Sequence, residues 1–161
     1  MKSCRHSTNI FQEAIDFQEP IDHCRWKKSL YPVLKRINKD KDDYKNNTFE
    51  EIYIDIHNIC HPVPGLGLLT IYDITSAICR YYNVIIDKVY IIGNGPKRAI
   101  KLLNIKTKKH KINDKINLNY VDIVDVINAF NVNNYVLDEN IRISKNGDIL
   151  ETYICNWQKT K

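Results

Sequence analysis

The sequence predicts a mainly α fold: a compact helical domain with two glycine turns that open helices, and a small C-terminal β-hairpin. Three observations predict it. Apolar residues recur at helical spacing through much of the chain. Two turns, Val63-Pro64-Gly65-Leu66-Gly67-Leu68-Leu69-Thr70 and Ile92-Gly93-Asn94-Gly95-Pro96-Lys97-Arg98, each lead into such a pattern. Asn146-Gly147 stands between two alternating apolar runs, the strongest short-range hairpin signal.

A weak helical pattern covers Asn9 to Phe17, and Pro20 interrupts it. A stronger one runs from Ile21 to Ile37, with Trp26, Leu30, Val33, Leu34 and Ile37 on one face. Asn38 to Asn47 is Asn-, Lys- and Asp-rich without apolar period and reads as a solvated loop. Thr48-Phe49-Glu50-Glu51 is a capping box that starts a helix toward Cys60. Pro62 and Pro64 stop it, and the first glycine turn follows.

A further helix is expected from Leu69 to Tyr82, on the spacing of Ile71, Ile74, Ile78 and Tyr81. Lys88 to Ile92 is a short apolar piece, helix or strand, leading to the second turn. Pro96 suits a first helical position, which predicts a helix from Pro96 to Asn104. Lys106 to Lys115 reads as a basic loop, and Asn119 as the cap of a helix from Tyr120 to Phe130. The tail divides into Ile141–Ser144 and Ile149–Ile154 around the Asn-Gly turn, the expected hairpin. The core is expected around Ile56, Ile59, Leu66, Ile74, Ile78, Val89, Leu102, Val124 and Ile127.

At 161 residues the chain is long enough for one domain with a real core. The organisation expected is an N-terminal helical segment and loop over 1–47, a core holding both turns over 48–130, and a hairpin and tail over 131–161. The net charge is +5. Heavy use of Asn, Ile, Lys and Tyr has the mark of AT-rich coding, which discounts part of that charge. No apolar run reaches the length of a membrane span, and Met1 to Asn9 lacks the apolar stretch of a secretory signal. The five cysteines are odd in number, scattered and never in a C-x-x-C pair, so reduced thiols in a cytoplasmic, soluble protein are expected. For a protein acting on DNA, the nucleoid or nucleus would be the equivalent place.

A glycine turn at a helix N-terminus leaves backbone N–H groups directed outward where the helix dipole is positive, which suits a phosphate. The same glycines also serve simply to let two helices pack closely. Lys97, Arg98 and Lys101 follow the second turn directly. No acidic residue lies between Asp87 and Asp114, a stretch that holds Lys88, Lys97, Arg98, Lys101, Lys106, Lys108, Lys109 and Lys111. Such a block attracts phosphates, though a Lys-rich solvated loop would have the same composition.

The turn with h-x-G-h-G between helices resembles the helix-hairpin-helix superfamily of nucleic-acid-binding motifs. Two of them in succession look like the tandem arrangement of DNA repair proteins. Pro64-Gly65-Leu66-Gly67 is similar to the family's loop, with Thr70 at a position often small or hydroxylic. Gly95-Pro96-Lys97-Arg98-Ala99 is similar to the G-P-K-R-A stretch that opens the second helix of many such motifs. Asn94 stands where the family has an aliphatic plug, and Leu68 and Leu69 where a basic or polar residue nears the phosphate. Gly65-x-Gly67-x-Leu69-x-x-Tyr72-Asp73, followed by Val89-Tyr90, also looks like a group of uncharacterised bacterial proteins with a helix-hairpin-helix-like core.

The resemblance implies non-sequence-specific binding of the nucleic-acid backbone, DNA in the first instance. Its site residues would be Gly65, Leu66, Gly67, Thr70, Gly93, Asn94, Gly95, Lys97, Arg98 and Lys101. The second turn, with its cations, would make the phosphate contact. The first would be its packing partner through Leu68 and Leu69.

One alternative is a structural or protein-interaction subunit that keeps the turns only for packing. Another is a DNA-processing enzyme whose active site the sequence does not reveal. The glycosylase branch of the superfamily carries a catalytic Asp after the second hairpin. Asp114 lies near that distance but lacks the Gly-Pro before it, so the role is not carried over, nor to Asp73, Asp122 or Asp125. No nucleophile elbow, P-loop or dinucleotide fingerprint is present. His57, Cys60 and His61 are the best metal candidates, but no further ligand follows at a recognisable spacing. A non-enzymatic protein without metal or cofactor is the expectation.

Overall fold

The computed structural model describes residues 27–161. The patterns at Asn9–Phe17 and over the first part of Ile21–Ile37, with Cys4 and Cys24, lie outside the described residues. The chain divides into two compact units, the first ending at Val84 and the second running from Ile85 to Lys161. The division falls inside the span 48–130. The described residues are mainly helical, with a small three-stranded antiparallel sheet in the second unit.

The first unit contains α1 (Lys27–Lys39), a 3-10 turn (Lys41–Tyr44), α2 (Phe49–Cys60) and α3 (Leu68–Tyr81). The capping box forms as its residue types require. Glu51 N–H donates to Thr48 Oγ1 at 3.3 Å, and Thr48 N–H donates to the Glu51 carboxylate at 2.8 Å. The helix then buries Phe49, Ile52, Tyr53, Ile56 and Cys60 on one face. Phe49 meets Tyr72 of α3 edge-on, with ring centroids 6.4 Å apart. Two tyrosines anchor the 3-10 turn: Tyr44 donates its hydroxyl to Asp55, and Tyr82 donates to the Lys41 carbonyl at 2.7 Å.

The second unit contains β1 (Lys88–Tyr90), α4 (Asn94–Leu102), β2 (Lys108–Lys111), β3 (Asn117–Asp122), α5 (Ile123–Val132), α6 (Glu139–Ser144) and α7 (Gly147–Trp157). A last 3-10 turn covers Gln158–Thr160. The strand order is β1-β3-β2, and Val89 pairs with Val121 and Tyr90 with Tyr120. The core gathers Val89, Ile91, Ala99, Ile100, Leu103, Val121, Val126, Phe130, Leu150 and Ile154.

Four sequence expectations are corrected here. Ile141–Ser144 and Ile149–Ile154 are not a hairpin; they belong to α6 and α7. Asn146 acts as a helix N-cap, its Oδ1 accepting from Asp148 N–H at 3.1 Å. Leu150 and Ile154, four apart, then face the core. Asn119 caps no helix: Asn117–Asp122 is the central strand, because Tyr120 and Val121 meet aromatic and β-branched partners across the sheet. The basic loop contains strand β2, whose partner is β3. Leu102 and Val124 are outside the core, 45% and 59% exposed. Helix α5 begins after the strand, so its inward phase falls on Val126 and Phe130.

Helix ends use asparagine where glycine is usual. Asn83, Asn104 and Asn134 have φ of 55°, 55° and 54°, one residue past the caps of α3, α4 and α5. In each case the next residue reaches back five positions: Val84 to Cys79 at 2.8 Å, Ile105 to Ile100 at 3.1 Å, and Tyr135 to Phe130 at 2.9 Å. These are Schellman closures, which need a left-handed residue. Asparagine tolerates that region better than other L-residues.

Two glycines in the second unit serve close packing. A Cβ on Gly147 would meet the Lys88 backbone carbonyl, and one on Gly95 would meet the Cys155 sulfur. A carbonyl in a strand cannot move aside, whereas a cysteine side chain can change rotamer. Gly147→Ala is therefore expected to cost about 3 kcal/mol and Gly95→Ala about 1 kcal/mol, read by urea unfolding. By the same assay Asn134→Ala is expected to lose about 1 kcal/mol while Asn134→Gly loses none. Equal values for the two glycine variants would contradict the packing account.

Candidate nucleic-acid interface

The first glycine turn has the geometry its sequence demands. Leu66 N–H donates to the Val63 carbonyl at 3.2 Å, closing a four-residue turn with Pro64 second and Gly65 third. Gly65 has φ of +87°, the value a type II turn needs there. Helices α2 and α3 flank the turn and pack together. Leu66 is buried and plugs the turn, and Thr70 is buried in the first turn of α3. Gly67 is the N-cap, extended and without a side-chain cap. A Cβ at Gly65 or Gly67 would meet open space. The expectation that Leu68 packs is corrected, since it is 54% exposed and Leu66 does that work.

The second turn is built differently. It is entered from β1, so it is a strand–turn–helix. Gly93 is its buried, extended N-cap, and Lys97 N–H donates to the Gly93 carbonyl at 3.3 Å. The helix begins at Asn94, two residues before the expected start. Pro96 is then third in the helix, still within the turn whose N–H groups have no helical partner. Asn94 is exposed, whereas Gly95 faces Cys155 of α7. The turn with open glycines thus lies in the first unit. Lys97, Arg98 and Lys101 lie in the second, behind a turn whose Gly95 is committed to packing.

Acids from outside the basic block neutralise part of it. Lys88 pairs with Asp87 at 3.0 Å and Lys111 with Asp114 at 2.7 Å. Lys108 pairs with Asp122 and lies 3.7 Å from Asp125. The hydrogen bond to Asp122 raises the Lys108 pKa and holds it protonated. Lys97, Arg98, Lys101, Lys106 and Lys109 are exposed and make no ion pair among the described residues.

Lys97 and Lys101 are four apart on α4 and share a face. Asn104 then turns the chain back, and Lys106 joins them along an open groove of about 560 Å3. Ile100, Ile105, Asn104 and Thr107 complete its lining. Arg98 lies outside it. The sequence reading did not select Lys106, Asn104 or Thr107 as site residues. The signal that could have found them is Asn104 ending an amphipathic helix just before a lysine.

His57 and His61 stack with ring centroids 4.9 Å apart, while Cys60 is buried. Burial pushes the Cys60 thiol up to about 11, which keeps it protonated at neutral pH. Among the described residues no group of three or more His, Cys, Asp or Glu could hold a metal ion. Among the described residues no carboxylate lines the α4 groove; Asp125 lines the adjoining hollow, which shares Asn104, Ile105 and Lys106 with it. No helix among the described residues is long and apolar enough to cross a membrane.

Comparison with protein-family models, with curated proteins and with solved structures finds no match to this chain.

The Cys60 thiol gives a pH test. A thiol whose pKa is raised on folding contributes stability below its ordinary value near 9, and that stability is lost as pH rises toward about 11. Stability of the parent is expected to fall across that window, and the fall to be shallower in Cys60→Ala. Urea unfolding at a series of pH values checks this; identical slopes for the two proteins would refute it.

Proposed function

We propose that this chain binds the sugar-phosphate backbone of nucleic acid, DNA in the first instance, without sequence preference. The observation that carries the reading is the charge left over on α4. Lys88, Lys108 and Lys111 are paired with aspartates, yet Lys97, Arg98 and Lys101 stay exposed and without an ion pair among the described residues. Helix α4 has no acidic residue in its first turn to balance them. A cation there opposes the helix dipole by a few tenths of a kcal/mol, which an anion would offset. Backbone contacts position a protein on nucleic acid but do not specify a sequence.

In this reading the α2–turn–α3 pair is the helix-hairpin-helix-like element, and its open Gly65–Gly67 turn offers backbone N–H groups only. The second turn departs from the hairpin pattern. Its Gly95 supports the rival reading for that glycine, a packing role, and leaves the phosphate contact to the side chains.

Lys97→Ala combined with Arg98→Ala is expected to weaken duplex binding about tenfold or more, with a shallower salt dependence. Thermal stability should be preserved or slightly raised. Gel shifts at two salt concentrations, with a thermal melt of each protein, check both. A double variant that binds DNA and RNA as the parent does would return the turns to a purely structural role.

A further inference from the structure

We infer that the groove beside α4 is a site for a run of consecutive phosphate groups, recognised as charge with no contribution from bases. This rests on the reading above and narrows it to a ligand chemistry. The three ammonium groups around the groove come from two segments. Lys97 and Lys101 stand about 6 Å apart along the helix axis. Lys106 is returned to the same groove by the left-handed Asn104. A row of point charges suits a chain of anions better than one compact anion.

The rest of the lining excludes other modes. Among the described residues no aromatic ring lines the groove to offer a platform on which bases could stack. No arginine among the described residues lines it to supply the planar fork that makes bidentate contacts to guanine. No carboxylate among the described residues lines it; Asp125 lies in the adjoining hollow, where Lys108 stands beside it. The Asn104 amide and the Thr107 hydroxyl are neutral donors suited to phosphate oxygens. Ile100 and Ile105 complete the lining. Two sources supply this chemistry: the phosphodiester backbone of a nucleic acid, and an inorganic polyphosphate chain.

The test uses the full chain, a labelled duplex of about 20 base pairs and inorganic polyphosphate. The variant combines Lys97→Ala, Lys101→Ala and Lys106→Ala. A control of equal charge combines Lys35→Ala, Lys39→Ala and Lys45→Ala, three exposed lysines of the first unit. All six side chains are exposed, so thermal melts should match the parent. Fluorescence anisotropy is expected to show the groove variant losing about thirtyfold or more in affinity. Its slope of log K against log salt should shrink by about 2.7, as three lost phosphate contacts require. The control should stay within about threefold, and polyphosphate should displace the duplex from the parent.

Equal losses in the two variants would overturn the inference, because net charge alone would explain them. So would a bound duplex that polyphosphate fails to displace; backbone binding would then stand without this groove. A parent that binds polyphosphate through the groove but no nucleic acid would sustain the inference and overturn the proposed function.

Discussion

The second unit depends on how closely α7 approaches the backbone of β1. Gly147 N–H donates to the Ile86 carbonyl at 2.6 Å, and the absence of a Cβ lets the helix start against Lys88. From that contact α7 runs inward with Leu150 and Ile154, and Cys155 meets Gly95 at the start of α4. Phe130 completes the arrangement, with ring contacts to Tyr135, Tyr153 and Trp157. The cations of α4 are therefore carried on a helix fixed by apolar packing. A helix held this way can tolerate unbalanced charge on its outer face, because the charges contribute little to holding it there.

A second constraint is the use of asparagine at helix ends. The chain has only five glycines, and none stands at the left-handed position after α3, α4 or α5. Asparagine fills that role, and the Schellman bonds turn the chain sharply at each site. At Asn104 the turn has a local effect on charge. Without it the chain would continue along the α4 axis and Lys106 would lie beyond the helix. With it, Lys106 returns toward Lys97 and Lys101.

What the sequence made legible were the elements whose signals are local. Thr48 and Glu51 fix the start of α2 by bonds within four residues, and both bonds form. Ile71, Ile74 and Ile78 share a helix period, and they are buried in α3. Asn146-Gly147 looks like a hairpin turn in the sequence because asparagine serves equally as a turn residue and as a helix cap. The choice between them is made by β1, nearly sixty residues earlier in the chain. Strand β2, Lys-Lys-His-Lys, has no apolar pattern, and only its pairing with β3 makes it a strand. Of the site, Lys97, Arg98 and Lys101 were legible as an acid-free block. The neutralisation of Lys88, Lys108 and Lys111 was not, because aspartates outside the block supply it.

The bond between Asn146 and Gly147 also bears on chemical ageing. In a flexible chain, asparagine before glycine is prone to cyclise: the glycine nitrogen attacks the side-chain amide carbon, ammonia leaves, and water then opens the imide to aspartate or isoaspartate. Here the Gly147 nitrogen is engaged with Ile86, and the Asn146 amide oxygen with Asp148. Neither partner is free to reach the other while α7 is in place. Deamidation must therefore proceed through molecules in which this helix start has opened. The durability of the covalent chain becomes a function of its conformational stability, and a destabilised variant would age at the point where α7 is anchored.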